Sequence, residues 1–193
     1  MSDQDRLKWN RKYKEKPALL EIRPPSTMIQ RFHTHTRGKK ALDLACGTGR
    51  HSLFLAEHGF HVDAVDISEH ALETLKAHKK AFDIHCIETD LDAFLPEKDK
   101  YDLAVMTNYL DRALIERTAQ ALKGGALFII ETYMIHPENE KENANPDFLL
   151  QPEELKHLFA DTFTLLAYEE FWNEPHELYR MRKQAIAVEK SIL

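Results

Sequence analysis

The chain has 193 residues, 43% of them apolar and 30% charged, with a formal net charge of −6. That length sets a prior of one domain, and a chain of this size buries roughly 70% of its unfolded surface without needing a disulfide or a metal. The acidic balance argues against nucleic-acid binding as the main activity. No run of 18 apolar residues and no charged-then-apolar leader is present, which predicts a cytoplasmic protein without a membrane segment. Cys46 and Cys86 are too few for a disulfide framework or a cysteine-based zinc site.

Trp9 and Tyr13 are spaced to share one helix face, and that segment ends near Lys16-Pro17. Arg23-Pro24-Pro25-Ser26 is a breaker followed by a capping residue, with a helix of about eight residues expected from Thr27. Ala41 to Ala45 is a short apolar run carrying one acid, Asp43, and Gly47-Thr48-Gly49 is a turn. Arg50 to His58 reads as a helix closed by Gly59, and Phe60 to Val65 as a strand. Ser68 can cap the next helix, in which Leu72 and Leu75 mark the buried side. Ala81 to Ile87 is a weaker strand, Tyr101 to Met106 a strong one, and Asp111 to Leu122 a helix. After Gly124-Gly125 comes the apolar strand Ala126 to Glu131.

The rhythm then breaks. Ile135 to Asn145 reads as a loop or lid. Gln151-Pro152 opens a helix burying Leu155, Leu158 and Phe159, and Phe163 to Tyr168 and Gln184 to Val188 read as final strands. Apolar strands alternating with helices predict a parallel sheet covered on both faces, an α/β three-layer sandwich.

The turn after the first strand carries the functional signal. A dinucleotide-binding turn needs a third glycine, and Ser52 stands at that offset. Asp43 precedes the turn; it repels a pyrophosphate and attracts an ammonium or sulfonium. Asp66, closing the second strand, is placed to accept from a ribose diol. A ligand joining a ribose, an amino-acid head and a positive sulfur is S-adenosylmethionine.

"LDLACGTGR" followed by "VDAVDIS" resembles the first two motifs of class I S-adenosylmethionine-dependent methyltransferases. The likeness continues through "IETDLDAFLP", "YDLAVMTNYLDRAL", "LKGGALFIIETY" and "NPDFLLQPEELKHLF", and is greatest to small bacterial tellurite-resistance-type enzymes. The resemblance implies a mostly parallel, seven-stranded Rossmann-like sheet with the last strand antiparallel and inserted near one edge. It also implies a single methyltransferase domain over residues 1–193, with 1–36 a helical cover and 37–193 the core.

By the same resemblance, Asp43 orients the methionine amino group, and Ala45, Cys46, Gly47, Gly49 and Arg50 surround the methionine end. The family more often has glycine where Ala45 stands. Asp66 takes the ribose hydroxyls and Ile67 packs on the adenine. Asp90 accepts from the adenine amino group with Leu91 beside the ring, and Thr107 and Asn108 lie beneath the transferable methyl. Substrate-side candidates are Tyr109, Arg112 and His176, followed by Asp111, Tyr133, Trp172 and Glu174.

The expected activity is methyl transfer to a small-molecule acceptor. Alternatives are a non-catalytic S-adenosylmethionine-binding module, a methyltransferase acting on a macromolecule, and a nicotinamide-dependent oxidoreductase. None of the eleven histidines stands in a zinc-binding motif, so no metal is expected. The sequence is silent on oligomeric state and on the identity of the acceptor.

Overall fold

A computed structural model describes residues 3–141, 143–159, 162–175, 177 and 179–192. Seven strands form one sheet in the order β3-β2-β1-β4-β5-β7-β6. They are β1 (Lys40–Leu44), β2 (His61–Asp66), β3 (Ile84–Glu88), β4 (Leu103–Thr107), β5 (Leu127–Tyr133), β6 (Phe163–Trp172) and β7 (Arg182–Lys190). The first five run parallel, whereas β7 is antiparallel to both β5 and β6. The late strand is therefore inserted between β5 and β6, as the resemblance implied.

Strand alternation sends successive side chains to opposite faces, and here both faces are apolar. Leu42, Leu44, Ala104, Met106, Phe128 and Ile130 pack on one side against α5 (Arg112–Ala121) and α6 (Glu154–Leu158). Ala41, Val62, Ala64, Val105 and Ile129 pack on the other. That side is covered by α2 (Thr27–Phe32), α3 (Arg50–Glu57) and α4 (Glu69–His78), through Ile29, Leu55, Leu72 and Leu75. The result is the three-layer sandwich expected from the strand–helix rhythm.

The N-terminal helix α1 (Asp3–Glu15) ties onto α4 at its capping residue. Ser68 Oγ accepts from the Ala71 amide, as a cap should, and itself donates to Asn10 Oδ1 at 2.7 Å. Trp9 and Tyr13 do share a face, with ring centroids 6.1 Å apart.

Several boundaries differ from the sequence reading for local reasons. The strand expected from Ala81 begins at Ile84, because Lys80 takes a left-handed φ of 47° and turns the chain first. The helix from Thr27 stops after six residues and tightens into one 3-10 turn, His33–His35. The helix expected from Gln151 is confined to Glu154–Leu158, since Glu153 at φ 58° interrupts it. Strands β6 and β7 are longer than expected and pair over most of their length.

One buried carboxylate braces β2. Asp63 is almost fully enclosed and accepts from Tyr101 Oη at 2.8 Å, with Lys40 and Lys100 Nζ at 3.2 and 3.1 Å. These partners hold its carboxyl below the ordinary range against the opposing effect of burial. Removing one member of such a group strands the others without their counter-charge. Asp63→Ala is expected to lower unfolding free energy by about 3 kcal/mol in urea titration, with the fold retained by circular dichroism.

Candidate functional site

A row of polar side chains crosses the carboxyl edge of the sheet. On the face that carries Ala41, Ala64 and Val105, the alternation continues to Asp66 on β2, Asp43 on β1, Thr107 on β4 and Glu131 on β5. Lys183, at the start of the reversed strand β7, belongs to the same row, because antiparallel insertion brings its first residues to this edge. The apolar period is intact; only the residue type changes as each strand reaches this edge.

The first turn of α3 lies along this row. Ser52 Oγ donates to Asp43 Oδ2 at 2.6 Å. His51 Nδ1 lies 3.3 Å from Thr107 Oγ1, and its Nε2 accepts from the Ser26 amide at 3.2 Å. Because Nε2 accepts, the proton of the neutral ring sits on Nδ1 and is donated to Thr107. Burial and the nearby charges of Arg50 and Lys183 push the His51 pKa well down, so the ring is neutral at physiological pH. Arg50 donates to the Pro24 carbonyl at 3.4 Å and continues the line towards Glu131.

The turn between β1 and α3 is built from left-handed residues. Ala45, Gly47 and Gly49 have φ of 55°, 54° and 83°. At Gly49 an added Cβ would lie 2.3 Å from Leu75 Cδ1, so glycine is required both by conformation and by packing against α4. Ala45 adopts the backbone that glycine would take freely, at a cost on the order of 1 kcal/mol. The chain bends here, where the resemblance puts a ligand's amino-acid end.

Asp66 is pre-aimed by backbone. Its Oδ2 accepts from the Gly47 amide at 2.7 Å and its Oδ1 from the Ser68 amide at 2.8 Å. Each oxygen retains a lone pair, and the carboxylate is only 8% exposed with its residue. Burial raises its pKa, and the amides of Ser68, Gly47 and Ile67 oppose that rise. Tyr13 Oη stands over Gly47, 3.1 Å from where a Cβ would be, so α1 covers this end of the site. Burial also raises the Tyr13 pKa, with Asp66 adding to it, so the phenol remains protonated.

Asp43 is 1% exposed, and among the described residues no lysine, arginine or histidine forms an ion pair with it. Burial lifts its pKa from 3.8 to about 7, opposed by the Ser52 hydroxyl and by Arg50. A buried carboxylate with a hydroxyl but no adjoining cation fits a ligand that brings an ammonium or sulfonium. Together with the Asp66 carboxylate and the bare turn, the donor set fits an S-adenosylmethionine end to end.

The remaining sequence candidates divide clearly. Cys46 is buried, its thiol pKa is pushed up by burial and by Asp66 and Asp43, and its amide donates to Val65 O at 3.0 Å; it packs and does not react. Ile67 is buried beside Asp66. Asp90 Oδ1 accepts from the Asp92 amide at 2.9 Å, forming a turn after β3. Leu91, the next residue, is fully buried in the core on the α5 side of the sheet. Asn108 takes φ 56° and donates its amide to Glu131 O at 2.8 Å, fixing the end of β4 against β5. Tyr109 packs against the opposite core, and burial raises its pKa.

Arg112 is withdrawn from the substrate side. It forms a two-pronged pair with Glu154 at 2.6 and 3.0 Å and donates to the carbonyls of Asp147 and Leu149. Its fork therefore pins the segment after β5 to α5. Asp111 caps α5 through the Leu114 amide. His176 lies outside the described residues. Ser26 was expected as a cap, yet its hydroxyl donates to Glu131 Oε2 and makes no capping bond.

Three site residues went unmarked in the sequence: His51, Glu131 and Lys183. Each could have been found from strand period and offset. Glu131 interrupts an apolar strand, Lys183 shares the alternation of Ala185 and Ala187, and His51 follows the glycine turn by two residues.

Residues 41–125 match the family described as "Methyltransferase domain". A ubiquinone biosynthesis O-methyltransferase of Coxiella burnetii is 30% identical over 128 residues, covering 62% of this chain and 54% of the relative. The chain thus spans about half the length of the curated relatives it matches. Among solved structures, TehB from Haemophilus influenzae superposes with a TM-score of 0.76 at 22% identity, over 86% of this chain and 63% of that one. An S-adenosylmethionine dependent methyltransferase from Mesorhizobium loti gives 0.67 at 21% identity, over 84% and 96%. The fold is that of these enzymes.

The raised Asp43 pKa has a definite sign. Between the ordinary carboxylate range and about 7, the folded protein holds a proton that the unfolded chain has released. Stability of the ligand-free protein therefore falls as pH rises through that window. Asp43→Asn cannot titrate there, so its stability relative to the parent should improve from about pH 5 to about pH 8 in urea titrations. A constant difference would show that Asp43 is ionised throughout.

Proposed function

We propose that this chain, whose residues 41–125 form a methyltransferase domain, transfers the methyl group of S-adenosylmethionine to a small-molecule acceptor. The single observation that carries the reading is the pair of buried carboxylates, Asp43 and Asp66, on either side of a left-handed turn. One lacks a cation partner, and the other is aimed by two amides towards a diol.

S-adenosylmethionine supplies the electrophile, a methyl carbon on a positive sulfur. The chain supplies binding, orientation and exclusion of water. Asp43 receives the ammonium of the amino-acid end, with Ser52 holding its carboxylate in place. Asp66 receives the two ribose hydroxyls through the lone pairs its amide partners leave open. Asp90, at the turn after β3, accepts from the adenine amino group. Tyr13 and the α1 helix close the pocket from outside. Methyl transfer spreads and relocates charge without net change, so an enclosed, low-dielectric site disfavours the solvated ground state.

A small acceptor is supported by the relatives named as ubiquinone biosynthesis O-methyltransferases. No helix among the described residues is long and apolar enough to cross a membrane. We further infer a single unit over residues 1–193, with 1–36 serving as the cover and 37–193 as the core, and a cytoplasmic setting.

Calorimetry with S-adenosylmethionine and S-adenosylhomocysteine tests this directly. Saturable binding of both is expected, and Asp66→Asn should weaken each by about 10- to 100-fold, the loss of a charge-assisted bond. Unchanged affinity in that folded variant, or no binding by the parent at millimolar ligand, would refute the reading.

A further inference from the structure

The polar row does not end where the donor site ends. Beyond Thr107 it opens into a cavity of about 130 Å³ under the N-terminal segment. Its charged walls are Arg50, Lys183 and the carboxylates of Glu131, Glu169, Glu174 and Glu177, with Ser26 beside them and Met28 and Phe171 on the apolar side. Position is the first reason to connect it with the chemistry. Glu131 pairs with Thr107 across β4 and β5, so cavity and donor site share one sheet edge and one face. Arg50, the first residue after the glycine turn, lines it directly.

The second reason is how much structure is committed to it. Lys183 is 2% exposed and lies between two carboxylates, Glu131 Oε1 at 3.3 Å and Glu177 Oε1 at 2.8 Å. Tyr133 Oη donates to the second oxygen of Glu177. Ser26, diverted from capping its own helix, donates to the second oxygen of Glu131. Four carboxylates line the cavity, Glu131, Glu169, Glu174 and Glu177, against Arg50 and Lys183, and with Glu169 paired outward to Arg31 one negative charge is in excess. An arrangement of this kind costs several kcal/mol of desolvation and is a poor device for stability alone. Arg50 forms no ion pair with either carboxylate among the described residues, and its guanidinium donates to the Pro24 carbonyl.

We propose that this cavity is the acceptor subsite of the methyltransferase and that it takes a small primary or secondary amine. The inference rests on the proposed function and goes beyond it by naming the acceptor's chemistry. The argument is one of charge flow. A neutral amine nitrogen uses its lone pair to form the new nitrogen–carbon bond, while the methyl–sulfur bond breaks and its electron pair stays on sulfur as a thioether. The positive charge moves from sulfur to nitrogen, and the proton carried by the methylated ammonium leaves to solvent. Carboxylates on the nitrogen side therefore interact more strongly with the transition state than with the bound neutral amine. Anionic acceptors such as oxyanions, thiolates and phenolates meet the same carboxylates as repulsion. Glu131 and Glu177 accept from the amine N–H groups, Lys183 fixes both, and the Thr107 hydroxyl, which accepts from His51, marks the boundary with the donor.

The test uses the full chain with S-adenosylhomocysteine bound. Calorimetric titration with ethanolamine, dimethylamine, catechol and selenite should show saturable binding of the amines alone. With S-adenosylmethionine, product should form from amines, and kcat/KM should rise with pH until the free amine is deprotonated. Glu131→Gln should lower amine kcat/KM by about 100-fold, with S-adenosylhomocysteine affinity changed less than twofold. If that variant fails to fold, Ser26→Ala, which leaves every charge in place, should still weaken amine binding by about 5-fold. Turnover of catechol or selenite in preference to amines, or amine binding indifferent to both substitutions, would overturn the proposal while leaving the proposed function standing. Failure of the parent to bind S-adenosylhomocysteine would remove both.

Discussion

The structure is organised by one repeated constraint: adjacent strands each end, on the same face, in a side chain that the core cannot accept. Asp66, Asp43, Thr107 and Glu131 occupy positions that period-two alternation would otherwise bury in hydrocarbon. Each must be given a polar partner or left at high cost. The partners come from elements that would otherwise have no reason to meet. The first turn of α3 serves Asp43 and Thr107, the glycine-turn amide serves Asp66, and the distant strand β7 serves Glu131. The edge of the sheet is thereby held rigid before any ligand arrives.

That rigidity has two qualities along the row. Asp66 is satisfied by fixed backbone amides and needs only to receive hydroxyls. Asp43 has a hydroxyl but no ion-pair partner among the described residues, and burial raises its pKa against the opposing effects of Ser52 and Arg50. A ligand with a positive end opposes the same rise, so affinity and ionisation are linked at one carboxylate. The contrast between a satisfied and an unsatisfied acid, one strand apart, makes the site read its ligand in a single orientation.

Much of this was legible in the sequence because it rests on local patterns. The strand–helix alternation, the glycine turn, and acids closing β1 and β2 are all contained within short windows, and the resemblance added the inserted last strand. What escaped is non-local. Ser26 carries a helix-cap signature but spends its hydroxyl on Glu131, more than a hundred residues away in the chain. Arg112 reads as an exposed cation near the substrate side and is instead locked to Glu154. Lys183 is an ordinary lysine in sequence and a nearly inaccessible one in the fold. No period or propensity encodes such pairings, since they depend on which strands become neighbours.

The reversed insertion of β7 bears on the order of assembly. Were the chain to fold only through β5, Glu131 would lie at an open sheet edge with its ammonium partner still unplaced. Zipping the β6–β7 hairpin into the gap covers that edge and delivers the missing positive charge in one event. Closure of the sheet edge and neutralisation of Glu131 are thus a single step of assembly. A chain lacking the hairpin would keep the glycine turn and its two acids but leave the Glu131 carboxylate without its ammonium.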